Sequence, residues 1–147
     1  MKKFRYSLES VLNYKEQILE RITDEYAECQ LRVRRKEEEI SVLRTKQYRL
    51  MQSFDDVKQK GAAIERYLVY SAMIEAAGNA IEYRKDQLAV LRSEEEAKKK
   101  EVVDATVDVK KFVRLKEKKY REYQQAMQKE EEAFIEEFVQ NAASRKN

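Results

Sequence analysis

A chain of 147 residues with 40% charged side chains, no proline, no tryptophan and two glycines is too polar for a layered globular core. It is also too free of breakers for many short elements. The net charge of +3, spread over interleaved Lys and Glu, excludes the one-sided basic footprint of a nucleic-acid binder, and the absence of histidine excludes His-based acid–base, triad and metal-ligand chemistry.

Residues 1–6 are basic and aromatic and contain no apolar run of signal-peptide length. Ser7 then stands where an N-cap hydroxyl accepts from the first-turn amides, with Glu9 placed favourably for the helix dipole. Tyr6 and Val11 stand at the staple positions that flank such a cap. The first helix is therefore expected over about residues 8–58.

That helix carries an apolar repeat of spacing 4-3 that never slips: Leu8, Leu12, Lys15, Leu19, Ile22, Tyr26, Cys29, Val33, Lys36, Ile40, Leu43, Gln47, Leu50, Phe54 and Val57. A seam with an average spacing of about 3.5 residues is stable only against another helix with a matching seam. A second seam, in a different phase, runs through Tyr67, Tyr70, Ile74, Ala77, Ile81, Arg84, Leu88, Leu91, Glu95, Lys98, Val102, Ala105, Val109 and Phe112. Gly61 lies between them and reaches the left-handed conformation that ends helices.

The predicted architecture is an all-α, elongated antiparallel two-helix coiled-coil hairpin forming a single domain over residues 1–147, with a turn at about 58–64 and a second, longer helix over about 65–140. Partners across such a hairpin have numbers summing to about 124, which pairs Phe54 with Tyr70, Leu50 with Ile74, Leu43 with Ile81 and Leu19 with Ala105. Cys29 then faces Glu95, Tyr26 faces Lys98 and Gln47 faces Ala77, so the middle, around residues 26–36 and 84–98, is expected to be looser than the ends. The lone Cys29 reads as a small core residue and permits no intramolecular disulfide.

Beyond Lys116 the second helix has no partner in its own chain under this register, yet Tyr120, Tyr123, Met127, Phe134, Ile135, Phe138 and Val139 continue an apolar stripe. An unpaired stripe of this kind is a candidate binding surface or a self-associating tail. Gly61 and Gly78 stand alone, without a phosphate-binding loop, and the runs Glu94–Glu96 and Glu130–Glu132 point around the helix axis without forming an enclosed site. The expectation is a non-enzymatic cytoplasmic protein with no cofactor, no metal and no small-molecule substrate.

The opening Phe4-x-Tyr6-x-Leu8-Glu9-x-Val11-Leu12, with Lys15-Glu16, the Gly61 turn followed by Tyr67-x-x-Tyr70, and Asp108-Val109-Lys110-Lys111-Phe112 with Lys116-Glu117-Lys118 resemble the FliJ family. These are small coiled-coil proteins of the bacterial flagellar type III export apparatus. The resemblance implies a cytosolic, central-stalk-like component that engages the hexameric export ATPase, contacts the cytoplasmic region of the export gate and export chaperones, and is peripheral to the membrane only through those partners. It further implies that the end with both termini enters the ATPase ring, where Tyr123, Phe134 and Phe138 are the candidate contacts, while a gate-binding patch flanks the turn. Leu43, Leu50, Met73, Ala77, Ala80 and Arg84 fall in that patch. Leu43, Leu50 and Ala77 also stand in the seams, so core and binding roles are both open for them. A holdase resembling prefoldin and a structural rod that dimerises in trans are the alternatives from other classes.

Far-UV circular dichroism should show helix over most of the chain, and small-angle scattering should give a rod about 100 Å long at 1.5 Å per residue. A radius of gyration near the value of about 15 Å for a compact globule of this size would contradict the reading.

Overall fold

The computed structural model of the protein describes residues 2–146. It consists of α1 (Glu9–Lys60) and α2 (Ile64–Lys146), with no strand among the described residues. The two helices form a helical hairpin whose second helix is the longer.

Gly61 makes the turn. Its φ of 78° lies in the left-handed region, and its N–H donates to the Val57 carbonyl at 2.9 Å, closing the last turn of α1 with the single bond of an αL cap. The Ala62 N–H donates to the Tyr67 hydroxyl (3.1 Å), and the Tyr67 ring meets Phe54 edge-on (centroids 6.0 Å apart). One aromatic side chain thus satisfies a half-buried amide of the turn and closes the apolar layer nearest it. The expected turn at about 58–64 narrows to residues 61–63, because glycine alone supplies the reversal and nothing before it breaks the helix.

By contacts the chain divides into two compact units, Ile22–Val102 and Met1–Arg21 with Val103–Asn147. In the unit that holds the turn, every predicted seam position of both helices is buried or half-buried. Phe54 stacks on Tyr70 (5.6 Å), as the register requires, and Val33, Ile40, Ile81 and Leu88 form a buried cluster with Leu43 and Leu91 packed against it. Cys29 is buried, in agreement with a core role.

The buried cluster reaches into the stretch expected to be loose through Val33 and Leu88, with Leu91 packed beside them, and the polar seam residues explain why. Lys36 keeps its stem in the seam and carries its ammonium outward, donating to Glu39 (2.9 Å) and Gln87 (3.1 Å). Arg84 likewise reaches Glu39 at 3.5 Å. Their heads leave the seam, so the apolar layers beside them close. Gln47 donates across the interface to the Ile74 carbonyl (3.3 Å). Lys98 donates to Glu25 (2.7 Å) and Glu101 (2.9 Å), and these bonds, Glu25 foremost, raise its proton affinity above that of an ordinary lysine.

In the unit that holds both chain ends, Leu12 and Ala105 are buried in the same register, and Lys15 approaches Asp108 (3.8 Å) while Lys116 pairs with Glu9 (2.8 Å). Two expectations at the start of α1 are corrected. The first intrahelical acceptor is the Leu8 carbonyl, with the Glu9 N–H bonded to the Tyr6 carbonyl, so a backbone turn precedes the helix where a Ser7 cap was expected. Tyr6 does not staple to Val11, which is exposed; its ring is buried and its hydroxyl donates to the Phe112 carbonyl of α2 (3.0 Å). A buried tyrosine needs a partner for its hydroxyl, and α2 offers one.

With Cys29 replaced by Ser, cysteines introduced at Leu19 and Ala105 should crosslink within one chain at high dilution. Exclusive formation of crosslinked dimers, read by denaturing electrophoresis, would show pairing in trans.

Candidate partner-binding surfaces

The two patches singled out from the sequence lie in different units. Beside the turn, Leu43 packs on the buried cluster, Leu50 is half-buried in its seam position and Ala77 is buried. These three hold the helices together. Met73 and Ala80 stand outside the seam, Met73 exposed and Ala80 half-buried, and Arg84 is engaged with Glu39.

Met73 and Ala80 belong to a second stripe of α2, outside the paired seam. Val69, Met73, Ala76, Ala80, Tyr83, Gln87 and Val90 repeat with the same 4-3 spacing, one position before the paired seam. Val69, Tyr83 and Val90 are all more than half exposed. The bonds that join Lys36 to Gln87 and Glu39 to Arg84 place this stripe on the flank that α1 borders with Glu39 and Lys46, opposite the flank where Arg92 pairs with Glu37 (3.1 Å). Along that flank Val42, more than half exposed, lines two shallow hollows, one with Leu43 and Arg84, the other with Lys46 and Arg49. The signal for this stripe was present in the sequence as a repeat. It was masked because its positions alternate with a stronger seam.

At the other patch the structure separates residues that the sequence grouped. Tyr123 is half-buried: its hydroxyl donates to the Lys2 carbonyl (2.8 Å), and Phe4 packs against both Tyr120 (5.2 Å) and Tyr123 (5.5 Å). Residues 2–5 therefore extend the cover of α2 past Lys116, where the helical register alone left it bare. From residue 124 to 146 every residue of α2 is exposed. Phe134 is 70% and Phe138 69% exposed, with Ile135 and Val139 beside them. Glu130, Glu131, Glu132, Glu136 and Glu137 surround this stripe, against one Lys129. Among the described residues no group of three or more carboxylate or thiol side chains is arranged to hold a metal ion.

One unit thus carries an exposed stripe on the flank of α2, and the other an exposed aromatic end of the same helix. A family model described as Flagellar FliJ protein matches residues 4–147. The chain belongs to the FliJ family. No curated protein and no solved structure matches it. Membership of the FliJ family makes this a flagellar export-related protein, and the family is a non-catalytic component of export. No helix among the described residues is long and apolar enough to cross a membrane.

Exposure distinguishes the two kinds of apolar residue energetically. Truncating Phe134 and Phe138 together to Ala should leave the melting temperature nearly unchanged, whereas Ile40→Ala, at a position 4% exposed, should cost about 2–5 kcal/mol. Thermal unfolding followed by circular dichroism measures both. A large loss in the double Phe variant would mean that the end of α2 is packed in the folded protein.

Proposed function

We propose that this FliJ-family protein is a central-stalk-like coiled coil of the flagellar export apparatus, which engages the export ATPase hexamer and links it to the cytoplasmic region of the export gate and to export chaperones. The observation that carries the reading is the bare end of α2. Its aromatic residues contribute nothing to pairing with α1, and large exposed apolar side chains clustered on one helix mark an interaction surface. Phe134 and Phe138 are the ATPase-end contacts in this reading, and Tyr123 contributes by holding residues 2–5 against α2. Met73, Ala80 and Arg84 form the gate-binding patch, while Leu43, Leu50 and Ala77 shape it from the core. The protein is then cytoplasmic and meets the membrane at the flagellar base only through its partners.

Ile64 and Leu68, each more than 60% exposed beside the turn, favour a second reading, that of a holdase working through the hairpin tip. The two readings predict different sensitive residues. Phe134→Ala with Phe138→Ala should weaken binding to the cognate export ATPase about tenfold or more, as for aromatic anchors at an interface, and abolish its stimulation. If stimulation survives the double substitution while Ile64→Ser with Leu68→Ser removes suppression of aggregation of an unfolded client, the holdase reading holds.

A further inference from the structure

Once the helices are paired, two apolar faces of α2 remain: the flank stripe centred on Ala76, Ala80 and Tyr83, and the bare end around Phe134 and Phe138. We propose that the end of α2 from one copy, residues 124–146, lies as a third helix on the flank stripe of a second copy.

Spacing is the first argument. A stripe repeating every 3.5 residues on average is matched along its length only by another helix. The stripe also has a shape. Ala76 and Ala80, four residues apart, leave low ground between Met73 and Tyr83, and the bare end offers Phe134 and Phe138, also four residues apart. Large side chains over small ones let two helices approach.

Charge selects the occupant. Between residues 127 and 139 the end of α2 carries five Glu and one Lys. Toward Tyr83 the α1 border of the stripe carries Glu38 and Glu39, the latter paired with Lys36 and Arg84, whereas beside Ala76 and Ala80 it carries Lys46 and Arg49, with no carboxylate between Glu39 and Asp55. An acidic, aromatic helix therefore meets a basic-edged, small-residue groove. Packing two such ends on each other would instead bring five Glu against five Glu. Both faces lie on the one helix α2, so the contact requires a second copy.

A contact of a few helical turns falls in the small-interface class, and association is weak and concentration-dependent. The inference stands apart from the export reading, but it bears on it. The faces engaged include Phe134, Phe138, Met73 and Ala80, so a self-associated chain hides the surfaces assigned to its partners.

Sedimentation velocity of the isolated full-length chain over a wide concentration range tests the contact. The wild-type weight-average sedimentation coefficient should rise with concentration. Phe134→Ala with Phe138→Ala, and separately Tyr83→Glu with Val90→Glu, should each stay monomeric while keeping wild-type helicity, since all four positions are exposed. An equimolar mixture of the two variants should associate again, because it contains one intact end and one intact stripe. Lys46→Glu with Arg49→Glu should weaken wild-type association about three- to tenfold. A wild-type chain that stays monomeric, a single variant that associates like wild type, or a mixture that stays monomeric would each overturn the proposal.

Discussion

Everything in this protein depends on one antiparallel seam and on the glycine that sets its register. A two-helix interface has no second layer to correct an error, and a slip of one heptad would displace the turn from Gly61, whose φ of 78° is left-handed. The cross-helix contacts Phe54 with Tyr70, Lys36 with Gln87, Arg84 with Glu39, Lys15 with Asp108 and Glu9 with Lys116 all join residues whose numbers sum to between 123 and 125. Apolar layers supply attraction along this seam but distinguish registers poorly, since any two heptad repeats align. The charged contacts and the cap at Gly61 make the choice.

Narrowness is the second consequence of pairing only two helices. Each helix buries one strip, and among the described residues no large side chain is fully enclosed: the most buried, Leu12 and Ile40, are 4% exposed. Lysine and arginine are tolerated in the seam for this reason. Water is one side-chain length away from any layer, so Lys36 and Arg84 contribute their stems to the interface and keep their charges outside it. The same narrowness leaves apolar side chains such as Val69, Tyr83 and Val90 uncovered.

Sequence alone determined the helices, the turn and the register, because heptad spacing and a single glycine are local signals that no tertiary contact overrides here. Every position of the two predicted seams is buried or half-buried, from Leu8 to Val57 and from Tyr67 to Phe112. The family was legible too, in short motifs at fixed distances. Which apolar residues are free was decided only in three dimensions. Residues 2–5 have no periodicity to announce that they fold along α2, and their contacts with Tyr120 and Tyr123 span more than a hundred residues, so Tyr123 reads as exposed until the arm is placed on it. Tyr6 reads as a local staple for the same reason, although the Phe112 carbonyl of α2 accepts its hydroxyl. Near the turn, Leu43 and Ala77 could serve the core or a partner until burial assigned them to the core, and the neighbouring stripe through Met73 and Tyr83 became a surface only when the cross-helix bonds fixed the flank it occupies. Periodicity states which residues share a face; only the packed pair states which faces are left over.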